Sequence, residues 1–122
     1  MAKRILITED SPTILMLMKD ALEEAGYTVI TAVDGQEAID KAKKEKPDLI
    51  LLDLMLPKIN GYKVCAMLKM SEDCANIPII IVTARAAEED KKLGSEVRAD
   101  AYITKPYQHE AVLAKIKELL GE

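Results

Sequence analysis

Two uninterrupted runs of large apolar residues constrain the fold of this chain most strongly. They lie at residues 49–52 (LILL) and 79–82 (IIIV), and neither run alternates with polar residues. A strand of this composition is buried on both faces, which is typical of the middle of a parallel sheet with helices on both sides. The two runs therefore predict the central strands of such a sheet.

The rest of the chain alternates short apolar runs with helical periods. The runs recur every 20–25 residues or so, which is the spacing of strand–helix units. The predicted strands are Arg4–Thr8, Thr28–Ala32, 48–52, Ile79–Thr83 and Ala101–Thr104. Five such units predict a three-layer α/β domain built on a doubly wound parallel sheet. A length of 122 residues corresponds to one domain, but the periodicity does not give the strand order.

Helical periods lie between the predicted strands. The first helix has Ser11 or Asp10 as its cap and Gly26 at its end, and Asp34 opens the second helix. The predicted fourth helix, at residues 88–97, is almost wholly polar. A helix with so little apolar surface to bury is held loosely.

Charge and composition exclude several classes of partner. The net charge of −4 and the pI of about 5.1 disfavour direct binding to nucleic acid or to an anionic membrane. The longest stretch without a charged residue, 74–84, is far shorter than the ~20 residues that span a bilayer. The first apolar run stops at Thr8, which is too early for a secretory signal. We therefore expect a cytoplasmic chain in which Cys65 and Cys74 are reduced and buried.

Polar residues end or follow four of the five predicted strands. The carboxyl ends of parallel strands meet at one edge of a sheet, where open α/β sheets bind ligands. The residues are Glu9, Asp10, Asp53, Thr83 and Lys105. Each one alone has an ordinary explanation, such as a helix cap, a turn or a solvated surface position. Capping, however, does not require three acids and one base at the same edge.

The chemistry of this set is coherent. Three carboxylates in a small cleft repel one another unless a cation lies among them. Their hard oxygens suit Mg²⁺, with Mn²⁺ as a second candidate, rather than zinc, and His109, the only histidine, has no partner at a zinc-ligand spacing. A carboxylate beside such a cation can attack phosphorus and form an aspartyl phosphate. The lysine and the threonine hydroxyl would then bind phosphoryl oxygens.

Six sequence motifs together resemble the receiver domain of two-component response regulators. Each motif alone is weak, but their order and spacing match over essentially the whole chain. The motifs are ITEDS at 7–11, AVDGQEA at 32–38, PDLILLDLMLP at 47–57, NG at 60–61, PIIIVTA at 78–84 and AYITKPY at 101–107.

The resemblance implies a magnesium-dependent phosphoacceptor site. Asp53 would accept a phosphoryl group from a sensor histidine kinase, a phosphotransfer protein or a small phosphodonor. Asp10, Asp53 and the backbone carbonyl of Met55 would bind Mg²⁺ directly, and Glu9 would act through water. The chain would be a signalling domain rather than an enzyme, although it would assist its own phosphorylation and dephosphorylation.

The resemblance also implies the fold and the route of the signal. The chain would be a single flavodoxin-like receiver domain over residues 1–122, with strand order 2-1-3-4-5 and a cis peptide between Lys105 and Pro106. Thr83 and Lys105 would bind the phosphoryl group. Thr83 would move toward that group and Tyr102 would rotate inward behind it. The face made by the fourth helix, fifth strand and fifth helix would then change and control an effector protein.

Local departures bear on phosphate lifetime and on dimerisation. Met55 and Arg85 should flank the approach of water to the phosphoryl group, which predicts slow hydrolysis. The segment RADAY at 98–102 lacks the glycine and the second acid of many transcription-factor receivers, and the last helix carries the uncharged Ala111. In that subfamily, the second acid and a charged residue at the position of Ala111 pair across the active dimer, so this chain lacks those charges. We therefore expect a monomer or a weak phosphorylation-dependent dimer.

Other functions fit the sequence less well. A phosphatase of the haloacid dehalogenase type needs a second aspartate two residues after the nucleophile, where this chain has Met55. A nucleotide-binding protein needs a glycine-rich loop, and the five glycines here are scattered. The remaining alternative is a degenerate receiver that acts only as a protein-interaction module. A missing acid or lysine would favour it, but the full set is present.

Overall fold

A computed structural model describes residues 2–54, 56, 58–83 and 99–122 of the chain. The strands are β1 (Arg4–Thr8), β2 (Thr28–Ala32), β3 (Leu49–Asp53), β4 (Ile79–Thr83) and β5 (Ala101–Thr104). The helices are α1 (Pro12–Glu24), α2 (Gly35–Glu45), α3 (Gly61–Lys69) and α4 (His109–Leu120). The predicted fourth helix at 88–97 lies outside the described residues. The label α4 therefore refers to the helix His109–Leu120.

The five strands form one parallel sheet in the order β2-β1-β3-β4-β5. This confirms the predicted fold class and the order that the resemblance implied. One apolar cluster covers the face that packs against α2 and α3, and a second cluster covers the face that packs against α1 and α4. The sheet is therefore the middle layer of three.

The two runs that dominated the sequence form the buried centre of the sheet. Every residue of β3 and β4 is buried, as predicted for central strands. The predicted range of the third strand was wrong by one residue at each end, because Asp48 precedes β3 and Asp53 is its last residue. The Asp48 carboxylate instead accepts the backbone N–H of Arg4 at 2.7 Å. Asp53 closes β3 and pairs with Val82 of β4.

The helix caps follow the local sequence. Ser11, Asp34 and Asn60 cap α1, α2 and α3, each by accepting a backbone N–H from the first turn of its helix. Of the two predicted caps for the first helix, Ser11 and Asp10, the structure has Ser11. Gly26 follows α1 with a φ of 100°, a left-handed conformation that favours glycine.

The state of the two cysteines and the lengths of the described helices agree with the expectations from the sequence. Cys65 and Cys74 are buried and neither forms a disulfide. Among the described residues, no helix is long and apolar enough to cross a membrane.

Candidate functional site

Glu9, Asp53 and Lys105 meet at the carboxyl edge of the sheet. The Nζ atom of Lys105 lies 2.7 Å from Oδ2 of Asp53 and 3.6 Å from Oε1 of Glu9. The two acidic side chains are only 8% and 6% exposed. Glu9 follows β1, Asp53 ends β3 and Lys105 follows β5. Three distant segments therefore bring two buried carboxylates to a single ammonium group.

The charges in this cluster do not balance. Burial raises the pKa of Glu9 to about 7, and a hydrogen bond to the side chain of Asp53 and its negative charge add to that rise. The ammonium of Lys105 and the N–H of Ser11 act in the opposite direction but are outweighed. Burial works to lower the pKa of Lys105, yet the contact with Asp53 raises it overall. The cluster therefore favours additional positive charge.

Thr83 and Lys105 are held side by side at the ends of neighbouring strands. Thr83 is the last residue of β4 and is 2% exposed. Its backbone carbonyl accepts the N–H of Lys105 at 2.7 Å. Because Val82 pairs with Asp53, Thr83 lies one position beyond that acid along the same edge.

The other predicted site residues lie in different places. The exposed Asp10 is next to Glu9 in the chain, but among the described residues no three His, Cys, Asp or Glu side chains are close enough to hold a metal ion. Tyr102 is half-buried on β5 and packs against the cluster beneath α2 and α3. Met55 and Arg85 lie outside the described residues.

Two glycines lie close to backbone atoms near the site, Gly61 against Asp53 and Gly35 against Ile59. A Cβ atom on Gly61 would lie 2.6 Å from the backbone oxygen of Asp53, and one on Gly35 would overlap the backbone oxygen of Ile59. The N–H of Gly61 also donates to the carbonyl of Leu54 at 2.9 Å. Sequence analysis included both glycines only as members of the motifs AVDGQEA and NG and missed this role. The signal was a glycine directly after each capping residue.

Sequence reasoning also missed two spaces beside the site. A cavity of about 20 Å³, enough for about one water, lies against Glu9 and Asp53. An open groove of about 470 Å³ lies between α1 and the segment after β5. Ile14 and Tyr107 line both spaces and thus form a shared wall. Burial raises the pKa of the Tyr107 hydroxyl.

This fold with an acid–lysine cluster at the carboxyl edge defines a class of phosphoacceptor signalling domains. The chain belongs to the response regulator receiver domain family, whose model matches residues 5–117. Receiver domains of two-component response regulators are phosphorylated on an aspartate and bind Mg²⁺ in their active site. The resemblance seen in the sequence is thereby confirmed.

The curated relatives are about twice as long as this chain. It is 48% identical over 120 residues to the alkaline phosphatase synthesis transcriptional regulatory protein PhoP of Bacillus subtilis, a match that covers 98% of the chain and 49% of PhoP. It is 46% identical over 117 residues to the DNA-binding dual master transcriptional regulator RpaA of Synechocystis, with 96% and 48% covered. The chain thus spans about half the length of the curated relatives it matches.

Solved structures show the same fold at full length. The chemotaxis protein CheY4 of Vibrio cholerae aligns with a TM-score of 0.93 and 30% identity, covering 98% of this chain and 99% of the other. The receiver domain of a sensor histidine kinase from Pseudomonas aeruginosa aligns with a TM-score of 0.92 and 27% identity, covering 100% of both chains. That structure has a magnesium ion coordinated in its active site cleft.

Proposed function

We propose that residues 1–122 form one receiver domain in which Asp53 accepts a phosphoryl group. The donor is a sensor histidine kinase, a phosphotransfer protein or a small phosphodonor. The observation that carries this proposal is the contact of 2.7 Å between the Lys105 ammonium and the buried Asp53 carboxylate. A buried carboxylate held by a lysine at the ligand-binding edge of an α/β sheet suits phosphoryl transfer.

The chain's own residues provide positioning and charge. An oxygen of Asp53 forms the new bond to phosphorus, and the bond from phosphorus to the donor atom breaks, so that the donor leaves with the electron pair. The ammonium of Lys105 then neutralises a phosphoryl oxygen, and the hydroxyl of Thr83 donates a hydrogen bond to another. Little covalent chemistry is needed beyond this placement.

The donor set fits Mg²⁺ by its chemistry. The carboxylates of Glu9, Asp10 and Asp53 and the carbonyl of Met55 supply the hard oxygens that Mg²⁺ and Mn²⁺ prefer. The pKa of Glu9, raised to about 7 by burial beside Asp53, supports a need for further positive charge. Bound there, the ion would neutralise charge on the phosphoryl oxygens.

Phosphorylation changes the surface around Tyr102 in this proposal. Thr83 moves toward the phosphoryl group, and Tyr102 turns inward behind it. Residues 88–97, β5 and α4 then present a different face to a downstream effector protein. The backbone hydrogen bond from Lys105 to Thr83 supports a link between the site and β5.

The partners and the surroundings of the chain follow from its charge and pairing. The net charge of −4 supports a domain without direct contact to nucleic acid or membrane, in a cytoplasmic protein. The Asp100 carboxylate already pairs with Lys69 within the chain at 2.8 Å. This internal pairing supports a monomer or a weak phosphorylation-dependent dimer.

The lifetime of the phosphoryl group stays a prediction from Met55 and Arg85. Both are expected to cover the approach of water without orienting it. The double variant Met55→Asn/Arg85→Glu should lose its phosphoryl group about tenfold faster, a change of ~1.4 kcal/mol in the barrier. Equal or slower loss after removal of the phosphodonor would contradict this prediction.

The alternative of a degenerate receiver has less support. A module that only binds proteins has no need of two buried acids, a buried threonine and a lysine at one edge. Glu9, Asp53, Thr83 and Lys105 are all present and, apart from Lys105, buried. Capacity for phosphorylation decides between the two functions.

Intact-mass spectrometry with acetyl phosphate and Mg²⁺ tests the proposal. We expect wild-type protein to gain one phosphoryl group and Asp53→Asn to gain none. Asp100→Asn is a matched control, because Asp100 also pairs with a lysine but lies at the amino edge of the sheet, and it should be phosphorylated like the wild type. Equal incorporation into wild type and Asp53→Asn would overturn the assignment.

A further inference from the structure

The groove beside the phosphoacceptor site has largely apolar walls and shares Lys105 with that site. It measures about 470 Å³. It is lined by Ile14, Leu17, Lys105, Pro106, Tyr107 and His109. Ile14 is 38% exposed and Leu17 is 55% exposed, so α1 presents large apolar side chains to this open space. An exposed apolar surface of this kind next to a reactive site indicates a binding surface.

Lys105 belongs both to the groove and to the phosphoacceptor site. Its ammonium lies 2.7 Å from the Asp53 carboxylate. A ligand whose apolar part fills the groove and whose anionic part meets Lys105 would therefore place that anionic part beside Asp53. The apolar walls and the shared lysine match a small molecule that is apolar at one end and anionic at the other.

The wall of the groove is supported from behind. Ile14 and Tyr107 line the groove and also the small cavity against Glu9 and Asp53. Tyr107 packs against the apolar cluster between the sheet, α1 and α4. The wall is thus part of the packed fold and needs no ligand to form it.

We infer that this groove binds the acyl chain of small acyl phosphates. The receiver therefore reacts faster with an acyl phosphate whose chain is a few methylenes longer than acetyl than it does with acetyl phosphate. The inference rests on the proposed function. An oxygen of Asp53 bonds to phosphorus, the bond from phosphorus to the acyl oxygen breaks, and the carboxylate leaves with the electron pair. The charges balance, and no proton or redox partner is needed.

The size of the preference follows from the burial of methylene groups. A methylene that is fully removed from water favours binding by about fourfold. Butyryl phosphate has two more methylenes than acetyl phosphate, but the groove is open and covers each of them only in part. We therefore expect a second-order rate constant about fourfold higher for butyryl phosphate, an estimate based on half of the full burial.

Leu17 and Met16 provide a matched pair of variants. Both are exposed apolar residues on α1, but Leu17 lines the groove, whereas Met16 lines a different surface with Pro12 and Lys19. Leu17→Ala should reduce the rate ratio of butyryl to acetyl phosphate to about one. Met16→Ala should keep the ratio of the wild type.

The experiment measures phosphorylation of Asp53 by intact mass with three donors: acetyl phosphate, butyryl phosphate and phosphoramidate, which has no acyl group. If phosphoramidate and acetyl phosphate react but the wild-type ratio is one, the inference is overturned and the proposed function stands. A groove that served only a macromolecular donor would give this result. If Leu17→Ala keeps the wild-type ratio, the groove does not bind the acyl chain and the inference is overturned. If no donor phosphorylates the protein, both proposals are overturned.

Discussion

Two lysine–aspartate pairs lie at opposite edges of the sheet and have different surroundings. At the amino edge, the Nζ atom of Lys69 lies 2.8 Å from Oδ2 of Asp100 and also donates to the backbone carbonyl of Ile77 at 2.9 Å. The same Asp100 oxygen accepts the N–H of Ile79 at 2.8 Å. At the carboxyl edge, Lys105 lies between two buried carboxylates.

The comparison separates a structural pair from a functional one. Lys69 is 8% exposed, and its charge is matched by one carboxylate and by backbone oxygens. Lys105 instead lies between two carboxylates. The pKa of Glu9 rises to about 7, mainly because of burial and also because of Asp53. The amino edge thus stabilises the fold, whereas the carboxyl edge keeps an excess of negative charge that a ligand can offset.

The largest expected difference is in the rate of phosphorylation. Lys105→Met should slow phosphorylation by acetyl phosphate about 100-fold, because removal of one group that stabilises developing charge typically costs that much. Lys69→Met should stay within about twofold of the wild type, since Lys69 lies at the other edge of the sheet. Initial rates from intact-mass spectra, at a temperature where both variants are folded, check this prediction. Equal losses in the two variants would remove the distinction.

The second prediction concerns the stability of the amino edge. Lys69→Met should lower the free energy of unfolding by about 2 kcal/mol, because it breaks a largely buried pair and leaves carbonyl groups unbonded. The value is below that of a fully buried pair, because the Asp100 side chain is 35% exposed.

Urea denaturation measures the effect, with Lys63→Met as the control. Lys63 is an exposed lysine on the same helix, so its replacement should change stability by less than about 0.5 kcal/mol. Equal losses for the two variants would show that the Lys69 contacts contribute nothing.

The third prediction concerns the unbalanced carboxyl edge and its pH dependence. Without Mg²⁺, the folded protein keeps a proton on Glu9 up to a pH of about 7, because burial and Asp53 raise its pKa from 4.5. The unfolded chain loses this proton near the lower value. The contribution to stability is therefore fully present below about pH 4.5 and is lost as the pH rises to about 7.

Glu9→Gln should remove this pH dependence and raise the free energy of unfolding at pH 8 by about 1 kcal/mol. The amide of Gln can donate a hydrogen bond to Asp53 at any pH. Urea titrations at several pH values in EDTA check the slope, and Glu72→Gln, at an exposed loop position, is the control. If Glu9→Gln retains the wild-type slope, another group is responsible.

The smallest expected effect lies at the amino edge. The hydroxyl of the buried Tyr27 donates to the Glu122 carboxylate at 2.8 Å, and burial together with Glu122 raises its pKa from 10 to about 12. Tyr27→Phe should lower stability by about 0.5 kcal/mol at pH 7, as for one partly exposed hydrogen bond.

The contribution of Tyr27 is present below pH 10 and is lost as the pH rises toward 12, because only the unfolded chain then releases the proton. Wild-type stability should therefore fall more steeply over this range than that of Tyr27→Phe. Identical slopes in alkaline urea titrations would contradict the assignment.

Much of the fold could be predicted because the strands coincide with short apolar runs in the sequence. The runs at 49–52 and 79–82 indicated burial on both faces, and the structure has both strands fully buried. The strand order came only from the resemblance, since pairing depends on contacts between distant segments. The error at the start of β3 arose because Asp48 lies before the strand, where its carboxylate accepts the backbone N–H of Arg4.

The site could be predicted in part for a similar reason. The ends of parallel strands share one edge, and this placed Glu9, Asp53 and Lys105 together. The groove could not be predicted, because its walls come from α1 and from the segment after β5, and their approach depends on tertiary packing. The helical period within α1 does place Met18 on the buried face and Leu17 outside it, and Met18 is buried whereas Leu17 is exposed.

The position of Lys105 has a consequence for the synthesis of the protein. Lys105 follows β5, an edge strand that pairs with β4 and is the last strand of the described sheet in chain order. During translation, Glu9 and Asp53 emerge from the ribosome well before the lysine that binds them, and the site is assembled only after Lys105 has been released and β5 has joined the sheet. Nascent chains that end before Lys105 therefore lack the acid–lysine cluster.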